Sequence, residues 1–250
     1  MSKAVKQMSF LNNQQKTEAN QGVMNQRRYI LNDKCGFSVQ EAYKTLRTNI
    51  RFYLPGEQCK KFCVTSGLAG EGKTITTLNL AISFAQAGHR VLLIDADMRR
   101  PTLHRLLIEK SSPGLSNVLA GFTSELEAIR KEVYPNLDML FAGDTPPNPS
   151  ELLLGSEMKK VIERLSARYD YILIDTPPVG LVSDACVVAN LLDGVLFVVR
   201  ENVAEKEAVR KGIKQMELAG CKIMGFVLNG VEDNNKKRKR YYKRYTYYRL

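Results

Sequence analysis

Residues 61–81 read KFCVTSGLAGEGKTITTLNLA, and this stretch decides the fold. KFCVTS is a short apolar run closed by a glycine, which predicts a strand. Gly67-Leu-Ala-Gly70-Glu71-Gly72-Lys73-Thr74 matches GxxxxGK[ST] in full, and residues 73–87 have helical composition. The succession of strand, glycine loop and helix predicts a phosphate cradle. Glycines let successive backbone N–H groups turn inward as an anion nest, and the helix N-terminus adds its dipole. In such a loop Lys73 reaches the β- and γ-phosphates of a nucleotide, and the Thr74 hydroxyl is a ligand for Mg²⁺.

Outward from this loop the same alternation continues. VLLIDAD (91–97), LDMLFAG (137–143), YILID (171–175), GVLFVV (194–199) and IMGFVLN (223–229) are continuous apolar runs, the pattern of parallel strands buried on both faces. Helices are expected over 150–168 and 204–219. Ser38-Val-Gln-Glu41 has the spacing of a capping box, predicting a helix to about Tyr53 that Leu54-Pro55-Gly56 ends. Repeated strand–helix–strand units predict an α/β fold, a doubly wound, mostly parallel sheet flanked by helices. Three segments follow: a polar, Gln- and Asn-rich arm over 1–35, a domain over 36–232, and a tail over 233–250.

The tail ends KKRKRYYKRYTYYRL (236–250), with Tyr241, Tyr242, Tyr245, Tyr247 and Tyr248 set among eight Lys or Arg and no carboxylate. Of the chain's net charge of +11, these fifteen residues carry +8. The basic balance therefore describes the tail and does not make the whole domain a nucleic-acid binder. Five scattered cysteines form no CxxC pair, and His89 and His104 are the only histidines, so a zinc site is not expected. Three of the thiols lie inside apolar runs, as reduced packing residues do. No run approaches the ~18 apolar residues needed to span a bilayer.

Two further strand ends carry acids. LLIDAD places Asp95 and Asp97 at one carboxyl end, and ILIDTPP places Asp175 at another. Ligands of open α/β sheets sit beyond the strands' carboxyl ends, so all three would face the nucleotide as oxygen ligands or proton acceptors. Arg99 and Arg100 follow at once, either to stabilise phosphoryl charge or to pair with carboxylates.

Taken together, EAYKTLRTNI (41–50), VTSGLAGEGKTITTLNLA (64–81), VLLIDADMRRP (91–101), GDTPPNPSELL (143–153), YDYILIDTPPVGLVSDA (169–185), DGVLFVVR (193–200) and the tyrosine cluster resemble the bacterial tyrosine kinases of capsule and exopolysaccharide synthesis. These are P-loop enzymes related to partitioning ATPases. The resemblance implies an ATP- and Mg²⁺-dependent protein tyrosine kinase that autophosphorylates its tail. It makes the glycine loop Walker A, LLIDAD Walker A′ and ILIDTPP Walker B. The phosphate cradle is then Gly70, Glu71, Gly72, Lys73 and Thr74. Asp95 is the acceptor of the substrate proton, Asp97 and Asp175 hold Mg²⁺ with Thr74, and Asn229 contacts adenine.

Glu41, Lys44 and Arg47 stand at three-residue steps on one helical face, which alone reads as a surface ion-pair ladder. The resemblance makes them an assembly motif, implying a ring, expected to be an octamer, in the unphosphorylated state. It also implies a separate membrane-embedded activator, other protein substrates of polysaccharide synthesis, and a cytoplasmic position at the inner face of the plasma membrane. The alternative is a partitioning-type ATPase switch gripping lipid or nucleic acid through the tail. Such switches carry an early lysine in the glycine loop, where this chain has Leu68.

Overall fold

The computed structural model describes Gly22 and residues 25–231. A seven-stranded sheet runs through it, with strands β1 (Lys60–Ser66), β2 (Val91–Asp95), β3 (Arg130–Tyr134), β4 (Leu137–Leu140), β5 (Tyr171–Asp175), β6 (Gly194–Arg200) and β7 (Ile223–Asn229). Their spatial order is β3-β4-β2-β5-β1-β6-β7. All neighbours are parallel except β3, which returns antiparallel onto β4.

The apolar runs alternate between two cores, one on each face. Leu92, Ile94, Ile172, Ile174, Val195 and Phe197 point to one side, and Val91, Leu93, Tyr171, Leu173, Leu196 and Val198 to the other. Helices α1 (Phe37–Tyr53) and α2 (Lys73–Gln86) cover the second face. Helices α4 (Leu115–Leu119), α7 (Ser156–Ser166), α8 (Asp184–Ala189) and α9 (Lys206–Leu218) cover the first. Each fully buried Leu, Ile, Val or Phe contributes about 1.5–3 kcal/mol, so this two-sided burial dominates stability. Short helices α3 (Leu103–Leu107), α5 (Glu125–Ala128) and α6 (Pro149–Leu154) fill the connections.

Several expected details differ. Helix α1 does run to Tyr53, but its N-cap is Gly36, with no side-chain cap hydrogen bond. Ser38 sits inside the first turn, so the capping box does not form. The helix expected over 150–168 is two helices, because Gly155 adopts extended backbone (φ −58°, ψ 149°) between α6 and α7. VLLIDAD leaves the ladder after Asp95, whose successor Ala96 donates its N–H to the Asp175 carbonyl at 2.8 Å. LDMLFAG leaves after Leu140, and the carbonyls of Phe141 and Ala142 accept from Leu115 and Ser116 instead.

Strand β7 is not buried on both faces, since it lies at the end of the sheet; Phe226 and Leu228 are exposed. Strand β3 was not expected, because RKEVY is too polar to read as part of a core. On the arm side of residue 36, Ile30 and Leu31 are buried against α2, where Leu31 N–H donates to Asn79 Oδ1 at 2.7 Å. No helix among the described residues is long and apolar enough to cross a membrane.

Candidate active site

Strands β1, β2 and β5 are adjacent, and their carboxyl ends supply the site. Asp95 and Asp175 are register partners, and Val64 lies opposite Asp175 on the other side. The glycine loop leaves β1 at Ser66 and returns as α2 at Lys73. Its turn into the helix is made by Gly72, which has φ +87°, a left-handed conformation that favours glycine. A Cβ there would lie 2.1 Å from Asn229 Nδ2, so any other residue would be strained by the positive φ and would displace the Asn229 amide.

Lys73 reaches across the site and is almost wholly buried. Its Nζ stands 3.1 Å from Asp97 Oδ2, 3.7 Å from Asp175 Oδ2 and 3.3 Å from Thr74 Oγ1. Burial opposes its charge, but the carboxylates of Asp175 and Asp97 outweigh this and hold its pKa above the usual lysine value. The Thr74 hydroxyl donates to Asp175 Oδ2 at 2.7 Å. One turn on, Thr77 donates to the Lys73 carbonyl at 2.7 Å, its oxygen 3.5 Å from Asp175 Oδ1.

The three acids are held differently. Asp97 accepts from Arg100 N–H at 3.0 Å through Oδ1 and faces Lys73 through Oδ2. Asp95 is fully buried; its Oδ1 accepts from Asp97 N–H at 3.1 Å, and its Oδ2 has no hydrogen-bond partner. Burial, reinforced by the neighbouring charges of Asp175 and Asp97, pushes the Asp95 carboxyl well above the ordinary range. Burial likewise raises Asp175, to about 6, against the opposing pull of Lys73 and the Thr74 hydrogen bond.

Three carboxylates thus face one ammonium in a buried site, an excess of negative charge that folding alone leaves uncompensated. The available donors are carboxylate and hydroxyl oxygens, the set a hard divalent cation such as Mg²⁺ takes. Thr74, Asp97 and Asp175, drawn together around the Lys73 ammonium, are the residues that could hold such an ion, and Asp95, register partner of Asp175, carries an unpartnered oxygen.

Other expected residues are placed less directly. Asn229, at the end of β7, donates Nδ2–H to the Glu71 carbonyl at 2.9 Å and accepts from Gly230 N–H at 2.9 Å. Arg99 is engaged by a carboxylate and a hydroxyl. Its Nε lies 2.8 Å from Asp184 Oδ2, and its Nη2 donates to Ser150 Oγ at 2.7 Å, so it straps the loop after β2 to α6 and α8. Of the two roles weighed for Arg99, this arrangement displays the carboxylate pairing.

Glu41 and Lys44 form an ion pair of 2.7 Å within α1, while Arg47 is bonded to the Ser83 carbonyl and lies 3.2 Å from Ser83 Oγ. The tyrosines of 241–248 lie outside the described residues. Sequence reasoning missed the Glu71 side chain. It folds under the loop, accepting from Gly67 N–H at 3.0 Å through Oε2, and burial raises its pKa. Nothing in the motif, which leaves that position open, signals it.

Residues 59–217 match the AAA domain family. The chain is 40% identical over 190 residues to tyrosine-protein kinase YwqD of Bacillus subtilis (strain 168), covering 76% of this chain and 80% of that protein. It is 39% identical over 196 residues to tyrosine-protein kinase CpsD of Streptococcus agalactiae serotype III (strain NEM316), covering 78% and 84%. Among solved structures, the kinase domain of the Escherichia coli tyrosine kinase ETK superposes with a TM-score of 0.75 at 35% identity, over 80% of this chain and 78% of that one. These likenesses span the glycine loop and both acidic strand ends, and with them the chain belongs to the bacterial protein-tyrosine kinases, a nucleotide-binding P-loop family.

Proposed function

We propose that this kinase phosphorylates the tyrosines of its own tail, Tyr241, Tyr242, Tyr245, Tyr247 and Tyr248, each presented to a neighbouring subunit's site, and thereby regulates the synthesis and export of a capsular or extracellular polysaccharide. The observation that carries the reading is Asp95, a buried carboxylate with one unpartnered oxygen beside the Lys73–Thr74–Asp175 cradle. A phosphoryl-transfer site needs little covalent chemistry from the protein. It needs positioning, charge stabilisation and an acceptor for the nucleophile's proton.

The chain's residues divide that work. Backbone N–H groups of the loop and the Lys73 ammonium hold the β- and γ-phosphates of ATP. The tyrosine phenol oxygen attacks the γ-phosphorus in line, the bond to the β-γ bridging oxygen breaks, and ADP leaves. Asp95 Oδ2 takes the phenol proton, and burial makes this carboxylate a stronger base than an exposed one. Mg²⁺, held by Thr74, Asp97 and Asp175, would neutralise phosphate charge. Asn229 borders the loop where adenine would lie. A basic tail suits delivery to an acidic pocket, and each added phosphate brings about −1.5 to −2 charge, so several would cancel its +8.

Assembly follows from the same chemistry. The Glu41–Lys44 pair is half-exposed and can exchange its partner for a neighbour's, building a ring that tail phosphorylation releases, while Arg47 braces α1 on α2. Activation and placement at the inner membrane face come from a separate membrane-embedded partner. The test is incubation with Mg²⁺-ATP and that partner's cytoplasmic segment, followed by phosphopeptide mass spectrometry with Lys73→Met alongside. Phosphotyrosine within 241–248 in the wild type alone is expected; its absence from the activated wild type refutes the proposal.

A further inference from the structure

The amides of a phosphate nest face inward and its carbonyls face out. Two successive outward carbonyls here are capped by side chains from far along the chain. Arg200, the last residue of β6, donates Nη1–H to Gly70 O at 3.0 Å. Asn229, the last residue of β7, donates to Glu71 O. The two strand ends are themselves joined: Arg200 and Asn229 are register partners, and Glu201 N–H donates to Asn229 O at 2.9 Å. Among the described residues Arg200 forms no ion pair.

Gly230 comes next, at the point where the chain leaves the sheet for the tail. It has φ +75°, and a Cβ there would sit 3.3 Å from Arg200 Cγ and 3.4 Å from Nε. The aliphatic stem of Arg200 therefore lies against the root of the tail while its guanidinium holds the loop.

We infer that Arg200 is a positioning residue of the phosphate cradle and couples it to the tail root at Gly230. The inference rests on reading this loop as the nucleotide cradle. The peptide unit whose oxygen Arg200 holds, Gly70 C=O, carries the N–H of Glu71. A cation on that oxygen polarises the unit and fixes its direction, which strengthens the inward donor. Arg200 touches no phosphate in this arrangement, so its effect scales with phosphates bound rather than with the base.

The experiment measures binding of Mg²⁺-ADP and of adenosine to the full chain. Arg200→Ala is expected to weaken ADP about fivefold and leave adenosine unchanged, the size of effect one partly exposed charge-assisted hydrogen bond gives. Arg200→Lys restores part of the loss. Gly230→Ala, strained by its positive φ and crowding the Arg200 stem, weakens ADP about threefold, and less than that in the Arg200→Ala background. Equal loss of ADP and adenosine, or no loss of ADP, overturns the positioning role, whatever happens to thermal stability. Full additivity of the two substitutions overturns the coupling. A wild type that binds neither ligand contradicts the proposed function itself, whereas wild-type binding with unchanged selectivity in Arg200→Ala contradicts only this inference.

Discussion

Two lysine–carboxylate contacts in this molecule look alike on paper and behave as opposites. Lys44 and Glu41 meet at 2.7 Å on α1, each with about a third of its side chain exposed. Lys73 and Asp97 meet at 3.1 Å in the nucleotide site, each with about a tenth exposed. Water screens the first pair and can replace either partner, so it contributes at most about 1 kcal/mol and re-pairs readily. The second pair belongs to a buried group with excess negative charge, where desolvation costs several kcal/mol per ion before any attraction is counted. Exposure suits the exchange of partners between subunits proposed above. Burial suits the proposed grip on phosphate and metal, and it makes the clustered carboxylates costly to the fold.

The largest expected effect is on the buried side. Lys73→Met removes the site's one ammonium, and tyrosine phosphorylation should fall by at least about 100-fold in a phosphotyrosine assay. A smaller loss would show that the cradle does not depend on that charge. Gly72→Ala forces a left-handed residue against Asn229 and should weaken nucleotide binding by about tenfold or more, read by titration with a fluorescent nucleotide.

The instability claim gives a pH prediction. A carboxyl whose pKa is higher folded than unfolded binds its proton more tightly in the folded chain, so stability falls as pH rises between the two values. For Asp175 that window runs from 3.8 to about 6. The nucleotide-free protein should therefore lose stability over this interval on account of this group, read by thermal unfolding across pH. Asp95→Asn should abolish phosphotransfer yet raise the nucleotide-free Tm at pH 8 by about 3 °C, the shift expected for about 1 kcal/mol in a chain of this size. A lowered Tm would mean the buried charges are already compensated.

Smaller effects test the flanks. Asp184 is buried and holds Arg99 and Ser150, so Asp184→Ala should cost about 2 kcal/mol in denaturant unfolding, less than a fully buried pair because Arg99 is partly exposed. Glu41→Ala should change stability by under about 0.5 kcal/mol while shifting any ring to smaller species on sizing. An unchanged elution would assign the pair to the surface alone.

The sheet's centre was legible in the sequence because strands buried on both faces are largely apolar, as β2, β5 and β6 are and as Phe62-Cys63-Val64 of β1 is. The outer strands follow other rules. RKEVY forms β3 although polar, because a sheet end accepts exposed side chains, and IMGFVLN forms β7 half-exposed for the same reason. Helix breaks were less readable, since Gly155 interrupts an otherwise continuous helical composition. In the site, Lys73, Thr74, Asp95, Asp97 and Asp175 come together as expected, because motif spacing and strand polarity place them at one edge. Contacts between distant segments, Arg99 with Asp184 and Arg200 on Gly70, left no local signal, and neither did the fold of Glu71 under its own loop, at a position the motif leaves open. The first two depend on packing that only the assembled sheet supplies.

The most direct test of transfer between subunits uses two versions of the chain mixed with Mg²⁺-ATP and the activating segment. The donor keeps its site but has the tail tyrosines replaced by phenylalanine; the acceptor carries Lys73→Met and an intact tail. Phosphate should appear on the acceptor's tyrosines at a rate that rises with donor concentration. Acceptor tails that stay unmodified, while the wild-type chain labels itself, would contradict the account.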